Sequence, residues 1–195
     1  MGRTAEVRRK TGETDISVRL DLDGSGKYSI QTDCGFMKHM LELFARHGRF
    51  DLELVCDGDS EVDFHHSVED MGIALGQAFR QALGDKKGIV RYGNMMLPMD
   101  EALVMTSLDI SGRTTVVCDM RLNARVGDFD TELVEEFITA FARELGLTIH
   151  VRQLDGSNTH HIIEAAFKGM ARALAAAVAI DEKYADEIPS TKGVL

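Results

Sequence analysis

Tryptophan is absent from the 195-residue sequence, proline occurs only twice, and the three cysteines, Cys34, Cys56 and Cys118, form no CxxC pair. An odd number of scattered cysteines argues against a disulfide framework and is typical of reduced thiols, so we expect a cytoplasmic protein. No apolar run approaches the roughly 20 residues that span a bilayer, and residues 1–6 lack the apolar stretch of a signal peptide. The sequence therefore predicts no membrane association.

Basic residues are also scarce, since 22 Lys and Arg face 32 Asp and Glu, for a formal net charge of -10. A nucleic-acid-binding protein normally has a basic excess, so we expect no nucleic-acid partner. A small phosphorylated ligand is still compatible with this charge, because a few Arg and Lys side chains can form a local positive pocket. Hydrophobic residues make up 44% of the chain, enough for the core of one domain or of two small halves.

Apolar periodicity predicts the elements of the first half. Residues 15–22 and 27–32 alternate apolar and polar side chains on either side of the turn Asp23-Gly24-Ser25-Gly26, which predicts a β-hairpin. Helical spacing followed by a glycine predicts two helices, and a strand pattern lies between them. The helices cover 36–47 and 65–83, and the strand covers 50–56.

The second half repeats this order. Two strand patterns, 102–110 and 114–120, flank the turn Ser111-Gly112-Arg113. A helix (131–145), a strand (147–154) and a long helix (160–179) follow. Short matching segments in the two halves, such as Phe44-Ala45-Arg46 and Phe141-Ala142-Arg143, support a duplication. We therefore predict an α/β (α+β) fold, a two-layer sandwich of two similar strand-strand-helix-strand-helix halves. The single domain, 1–195, would comprise halves of about 1–88 and 89–180 and a C-terminal tail, 181–195.

Four of the seven histidines form two adjacent pairs, and each pair opens a long predicted helix. The motifs are His65-His66-x-x-Glu69 and His160-His161-x-x-Glu164. Neighbours on a helix are about 100° apart, so adjacent imidazoles diverge and are poorly placed to bind one ion. The glutamate lies one turn away and can assist either histidine. Two such helices facing each other would supply the beginnings of two metal sites.

His39 and His150 are natural completing ligands, because each lies in the same half as one of the pairs. Imidazole and carboxylate donors suit Mn, Fe, Co, Ni or Zn, and the ligand types alone do not choose among them. The alternative is that surface helices carry histidines by chance, which two copies at matching positions disfavour. His47 stands alone on its helix, where a histidine more often packs or hydrogen-bonds than binds a metal.

Donors for a phosphate group are present but less specific. Arg91, Arg113, Lys168 and the segment Ser190-Thr191-Lys192-Gly193 offer guanidinium forks, ammonium groups and a hydroxyl. Each of them alone is more typical of a solvated surface charge.

Two acidic segments resemble other kinds of site. Asp21-Leu22-Asp23-Gly24-Ser25 resembles the aspartate loop of haloacid-dehalogenase phosphatases, but it lies in a hairpin pattern, which favours a turn. The segment 57–63 begins like a calcium loop, but Val62 and Val68 stand where Gly and Glu are required. Two rival functions stay open: a phosphatase that uses Asp21 and Asp23, and a non-catalytic metal-binding assembly protein.

The histidine motifs lie in segments that resemble the imidazoleglycerol-phosphate dehydratase family over nearly the whole chain. The matching segments are RKTGETDI, DFHHSVEDMGIALGQAF, PMDEAL, SGR, VGDFDTELVEEF, NTHHIIEAAFKGMARAL and PSTKGVL. The doubled HHxxE is highly specific to that family. The resemblance implies an enzyme of histidine biosynthesis that converts imidazoleglycerol phosphate to imidazole-acetol phosphate and water. It also implies two manganese ions per chain and a homo-oligomer of 24 subunits with sites between subunits.

The resemblance also implies roles for individual residues. The implied metal ligands are His39, His65, His66, Glu69, His150, His160, His161 and Glu164. The implied substrate contacts are Glu13, His39, His47, His65, Glu69, Arg91, Arg113, His160, Lys168, Ser190 and Lys192.

The chain departs from the family pattern near His39. The family usually has Asp-His-Met-Leu where this chain has Lys38-His39-Met40-Leu41, and Thr32-Asp33-Cys34-Gly35 differs from the usual Thr-Gly-x-Gly. An aspartate beside a ligand histidine could orient it or add negative charge near the metal. Lys38 adds positive charge instead, so we expect it to weaken the His39 site if its side chain points inward.

The implied reaction accounts for such a site. The C–H proton to be removed lies beside only a hydroxyl, and hydroxide is a poor leaving group. If two Lewis acids strip the substrate's imidazole to imidazolate, its electrons can expel the hydroxyl on the attached carbon, and the neighbouring C–H becomes acidic. A carboxylate can then take that proton, and the enol becomes the ketone. Glu164 and Glu13 are the predicted catalytic bases, in that order.

Overall fold

The computed structural model describes residues 2–195, which contain ten β-strands, four α-helices and one short 3-10 helix. The strands are β1 (Thr4–Lys10), β2 (Thr14–Asp21), β3 (Tyr28–Gln31), β4 (Asp51–Gly58), β5 (Tyr92–Met99), β6 (Ala102–Asp109), β7 (Thr115–Asp119), β8 (Arg125–Val126), β9 (Phe129–Asp130) and β10 (Thr148–Asp155). The helices are α1 (Gly35–Gly48), α2 (His65–Leu83), α3 (Leu133–Leu145), α4 (Thr159–Val178) and the 3-10 turn Glu182–Tyr184.

Two four-stranded sheets have the same strand order. The first runs β1-β2-β4-β3 and the second β5-β6-β10-β7, while β8 and β9 form a separate two-stranded ribbon. In each sheet the first and second strands of this order pair antiparallel, and so do the second and third. The third and fourth strands pair in parallel. The predicted α/β sandwich of two similar halves is therefore confirmed.

The strand count of each half was underestimated. Each half begins with a strand that the periodicity did not predict, β1 in the first and β5 in the second. β1 is an edge strand in which only Ala5 is buried, so its sequence alternates weakly. β5 is also an edge strand, and it contains Pro98, a residue that interior strands exclude.

The predicted hairpin of 15–22 and 27–32 is wrong, because β4 lies between β2 and β3. Ile16 of β2 and Ile30 of β3 both face β4, where they pair with Cys56 and Leu54. The connecting turn wraps around the start of β4, since the carboxylate of Asp51 accepts the backbone N–H groups of Ser25 and Lys27. The patterns 102–110 and 114–120 are likewise separated by β10.

The four helices lie between the two sheets. α2 packs on the first sheet and against α3, whereas α4 packs on the second sheet and against α1. Gly72 and Gly76 allow the close approach of α2 and α3, because a Cβ at these positions would lie 2.8 Å and 2.6 Å from the carbonyl oxygens of Phe137 and Phe141. Each half is thus a two-layer sandwich, and the helical layers of the two halves meet.

Phenylalanine rings join the two halves in the core. Phe44, Phe50 and Phe79 of the first half contact one another at centroid distances of 5.0 to 5.9 Å. Phe141 of α3 lies 5.4 Å from Phe79 and 6.2 Å from Phe44. Full burial of each ring contributes about 1.5–3 kcal/mol relative to exposure. This packing holds α1 and α2 of the first half against α3 of the second.

The three cysteines are free thiols. Burial raises the pKa of Cys34 and Cys56 to about 11 and that of Cys118 to about 12. These thiols are therefore protonated at neutral pH, as the prediction of ordinary reduced cysteines requires. No helix within residues 2–195 is long and apolar enough to cross a bilayer.

Candidate metal-binding site

Both HHxxE motifs begin helices, as their spacing predicts. The side-chain oxygen of Asn158 accepts hydrogen bonds from the backbone N–H groups of His160 and His161, which makes it the N-cap of α4. In the first half, the carboxylate of Asp63 accepts the backbone N–H of His65 at 2.7 Å. Each histidine pair is therefore held in the first turn of its helix.

Three predicted ligands come together between α1 and α4. The Nε2 atoms of His39 and His160 lie 3.9 Å and 3.3 Å from one carboxylate oxygen of Glu164. One ligand atom from each of the three residues lies within 4.8 Å of the others. Donors that each bind one ion at about 2.1 Å are about 3–4 Å apart. This three-ligand cluster (His39, His160 and Glu164) therefore fits a metal ion with little rearrangement.

Lys168 contacts the same carboxylate from the opposite side. Its ammonium donates a hydrogen bond to the second oxygen of Glu164, one helical turn away. Burial opposes ionisation of Glu164, which is 7% exposed. The hydrogen bond from Lys168 and the nearby charges of Lys168, His39 and His160 outweigh burial and lower the pKa of Glu164. The carboxylate is therefore anionic, as a metal ligand must be.

The adjacent histidines diverge, as predicted. The rings of His65 and His66 are inclined at 84° and those of His160 and His161 at 81°, with centroids 6.2 Å and 6.3 Å apart. The second histidine of each pair faces an acidic residue that the sequence reasoning did not assign. Nδ1 of His66 lies 2.9 Å from Asp59, and Nδ1 of His161 lies 2.7 Å from Glu101.

These carboxylates act on the imidazoles in the same way. Hydrogen bonding to Asp59 raises the pKa of His66, and hydrogen bonding to Glu101 raises that of His161. An acid that binds Nδ1 fixes the ring orientation and leaves Nε2 for another partner. Asp59 lies in the acidic segment 57–63, directly before the first HHxxE helix, and could have been found as a nearby acid. Glu101 lies in the segment PMDEAL, far from the second motif in the chain, so no local pattern indicates its contact with His161.

The other predicted ligands do not form a second group of three within residues 2–195. Glu69 faces Arg143 of α3 at 3.7 Å, whereas its counterpart Glu164 faces His39 of α1. His150 is half-buried on β10, between Ser107 of β6 and Val117 of β7. Glu13 lies in the β1–β2 turn, with a carboxylate oxygen 3.8 Å from Nε2 of His66.

Four predicted phosphate contacts gather in what we call the tail corner (Arg91, Arg113, Ser190 and Lys192). The guanidinium of Arg91 donates to both oxygens of Asp109 at 2.7 Å and 3.1 Å, and to the carbonyl of Pro189 at 2.8 Å. Beside Arg113, a Cβ at Gly112 would lie 2.9 Å from the carbonyl carbon of Leu195. The C-terminal segment therefore runs along Arg91 and the Ser111–Arg113 turn.

The tail corner is remote from the three-ligand cluster within one chain. The backbone N–H of Arg91 donates to the carbonyl of Ala177, which is thirteen residues after Glu164 on α4. That separation is about 20 Å along the helix axis. Of the predicted phosphate contacts, Lys168 alone lies beside the cluster.

His47 continues the groove between α1 and α4, two turns beyond His39. With Ser25, Arg46, Arg49 and Arg172 it lines a cavity of about 320 Å³. Burial lowers the pKa of His47, and the charges of Lys168 and Arg172 act in the same direction. The groove is thus acidic near Glu164 and basic near His47.

The two acidic segments that resemble other kinds of site have structural roles. Asp23 forms an ion pair with Arg3, and its backbone N–H donates to Asp21, so this segment is a turn, as its pattern favoured. Asp59, in the rejected calcium loop, binds His66.

Comparisons with known proteins agree with the motifs. The family model described as imidazoleglycerol-phosphate dehydratase matches residues 32–174. An imidazoleglycerol-phosphate dehydratase of Thermoanaerobacter pseudethanolicus is 60% identical over 194 residues, covering 99% of this chain and all of the relative. One from Dinoroseobacter shibae is 58% identical over the same share of both chains.

Solved structures show the same likeness. The crystal structure of the enzyme from Pyrococcus furiosus has a TM-score of 0.85 at 41% identity, covering 97% of this chain and all of that one. The Staphylococcus aureus structure has a TM-score of 0.82 at 40% identity, covering 91% and 99%. The resemblance inferred from the motifs is confirmed. The chain therefore belongs to the imidazoleglycerol-phosphate dehydratase family of hydro-lyases.

Proposed function

We propose that this chain catalyses the dehydration of imidazoleglycerol phosphate to imidazole-acetol phosphate and water, as a cytoplasmic enzyme of histidine biosynthesis. The observation that carries the proposal is the three-ligand cluster at the end of a groove that becomes basic toward His47. Metal-ligand donors at one end suit an imidazole ring, and cationic groups at the other suit a phosphate.

The proposed cofactors are two Mn²⁺ ions per chain, with Fe, Co, Ni or Zn as alternatives. His39, His160 and Glu164 would hold one ion, because their donor atoms already converge. The remaining ligands, His65, His66, Glu69, His150 and His161, would contribute to sites that need further groups. When bound, the ions supply Lewis-acid activation of the substrate's imidazole.

Those further groups are proposed to come from neighbouring subunits of a 24-subunit assembly. Two observations support shared sites. The first HHxxE motif, His65-His66-x-x-Glu69, belongs to no group of three ligands within residues 2–195, and the tail corner lies about 20 Å along α4 from the cluster. A substrate of this size cannot span that distance, so the phosphate contacts from Arg91, Arg113, Ser190 and Lys192 would reach the site of another subunit.

Within one chain, Lys168 and His47 would extend the substrate site from the cluster toward the phosphate. Lys168 is one turn and Arg172 two turns beyond Glu164 on α4, so their charges follow the groove. His160, His65 and Glu69 are proposed to contact the imidazole end as well as the metal.

Two carboxylates are proposed to act in proton transfer. Glu164 is a buried anion held by Lys168 and faced by two imidazoles, which supports a ligand role and leaves it few free lone pairs. Glu13 is more exposed and lies beside His66, so it can reach a substrate bound to that histidine. In either case the base takes the C–H proton after the hydroxyl has left.

We also propose that the single catalytic domain arose as two halves, about 1–88 and 89–180, followed by the tail 181–195. The repeated strand order of the two sheets supports this division.

The decisive test measures metal content and turnover on one purified, manganese-loaded sample. We expect about two ions per chain and formation of imidazole-acetol phosphate, with no hydrolysis of p-nitrophenyl phosphate. A metal-loaded assembly without turnover would support the non-catalytic metal-binding alternative. Phosphoester hydrolysis that disappears in Asp21→Asn would support the phosphatase.

A further inference from the structure

Lys86 is a buried lysine with no acidic partner. It follows α2 in a left-handed backbone conformation, with φ of 61°, and is 9% exposed. Among residues 2–195, no carboxylate lies within 4.0 Å of its ammonium, and its Nζ donates no hydrogen bond, whereas the neighbouring Lys87 pairs with Asp85 at 3.2 Å. The ammonium is not one of the fully buried polar atoms that lack a partner. Lys86 therefore buries its stem and presents an unpaired charge that an anion from solvent can reach.

The charges around Lys86 also favour the binding of an anion. Burial lowers the pKa of Lys86, and the positive charges of Arg80 and Arg91 lower it further. The chain has a formal net charge of -10, yet three cationic groups lie close together here, and Asp109 is a carboxylate beside them. Asp109 is itself already bound by Arg91.

Lys86 borders the tail corner. Its Nζ lies 3.8 Å from the position of a Cβ on Gly112, and the carbonyl carbon of Leu195 lies 2.9 Å from the same point. Gly112 directly precedes Arg113. The positive charge of Arg91 is close enough to lower the pKa of Lys86. Lys86 therefore adjoins two of the residues proposed to bind the substrate's phosphate.

The donors in this corner are unequally available. Arg91 commits three of its five N–H groups to Asp109 and Pro189. The ammonium of Lys86 has three N–H groups and donates none of them within residues 2–195. Unlike Arg91, Lys86 is thus a cation whose three N–H groups all remain available to a ligand.

We propose that Lys86 is a further anion-binding residue, and that it binds the phosphate of the substrate together with Arg91 and Arg113. This inference rests on the proposed function for the identity of the anion. It extends the proposed phosphate site to a residue that the motifs did not indicate. Lysine acts as a point charge, which complements an arginine fork whose donors are partly occupied.

The test compares Lys86→Met with Lys87→Met in the manganese-loaded assembly. Lys87 is the matched control because it is adjacent, exposed and paired with Asp85. We expect KM for imidazoleglycerol phosphate to rise about tenfold or more in Lys86→Met, the loss of one charged hydrogen bond. The fall in kcat should be smaller, because the phosphate does not react. Lys87→Met should match the wild type.

A second measurement does not depend on turnover. Inorganic phosphate should raise the Tm of the wild type and of Lys87→Met, and raise that of Lys86→Met less, because a ligand stabilises only the state that binds it. If Lys86→Met does not fold, Lys86→Gln removes the charge while keeping a polar side chain and is measured in the same way.

Equal phosphate-dependent shifts in Tm together with an unchanged KM would overturn the assignment of Lys86. Loss of the assembly with unchanged phosphate binding would also overturn it, and would show that Lys86 pairs with a carboxylate of another subunit. A wild type without dehydratase turnover refutes the proposed function instead, and the Tm measurement then still decides whether Lys86 binds an anion.

Discussion

At the scale of single residues, Glu164 is the most constrained group of the candidate site. One of its oxygens faces His39 and His160, and the other accepts a hydrogen bond from Lys168. Few lone pairs remain for other partners. A carboxylate in this position serves first as an anion that two imidazoles and a metal ion can share.

We expect Glu164→Gln to lose about one metal ion per chain and to lower kcat by about 100-fold or more, because the amide keeps the shape and deletes the charge. Metal content and turnover should be measured on the same sample. Glu135→Gln, on the exposed surface of α3, is the control and should behave as the wild type. Retained metal with near-normal kcat would contradict both roles of Glu164 and make Glu13 the leading base.

Lys38, the departure from the family pattern, has an exposed side chain. No acid lies within 4.0 Å of it among residues 2–195, and a solvated charge is largely screened. We therefore expect Lys38→Asp to change the affinity for Mn²⁺ by less than about threefold, which calorimetric titration would measure. Lys38→Met separates the loss of the positive charge from the gain of a carboxylate. Much tighter binding or faster turnover in Lys38→Asp would mean that Lys38 faces a metal site in the assembly.

At the scale of elements, α1 and α4 together form the groove. His160, Glu164, Lys168 and Arg172 follow one another at intervals of four along α4, so they share one face. His39 and His47 are eight residues apart on α1 and also share a face. Because α1 packs against α4, these two faces meet.

The start of α4 depends on Asn158, whose side chain caps the backbone N–H groups of the two histidines. We expect Asn158→Ala to lower the free energy of unfolding by about 1 kcal/mol and to weaken metal binding, since the first turn would fray. Urea unfolding of the metal-free chain and Mn²⁺ titration would measure the two effects. Asn94→Ala, at an exposed position of β5, should change neither. Weakened stability with unchanged metal affinity would show that the metal itself orders the turn.

At the scale of the whole molecule, the fold separates the groups that the proposed reaction needs to combine. The three-ligand cluster lies near the start of α4, while Arg91 contacts Ala177 near its end. The length of α4 between these two points is about 20 Å. The proposed association of subunits would bring the two together.

We expect removal of metal to dissociate the assembly, because ions whose ligands come from different subunits contribute their binding energy to association. Light scattering before and after treatment with a chelator would show a large loss of mass, which added Mn²⁺ should reverse. The variant Glu164→Gln, which should hold less metal, is predicted to dissociate at a lower chelator concentration. An intact large particle after confirmed removal of metal would contradict shared ligands.

Local properties of this protein follow from its sequence alone. The histidine pairs and their spacing to the glutamates predict both HHxxE motifs at helix starts, where they lie. Alternation and apolar periodicity identify three of the strands in each half and all four helices. These features depend on residues a few positions apart, for which backbone geometry fixes the relation between spacing and direction.

The tertiary structure decided which of these elements and residues meet. β4 entered between β2 and β3 because the turn before β3 wraps around Asp51, a contact that no local pattern encodes. His39 reached His160 and Glu164 only through the packing of α1 on α4, while Glu69 met Arg143 instead of a histidine. Arg91 pairs with Asp109, and no carboxylate lies within 4.0 Å of the ammonium of Lys86 among residues 2–195. Partners far apart in the chain are chosen by packing and by loop paths, because periodicity records which face is buried and not what covers it.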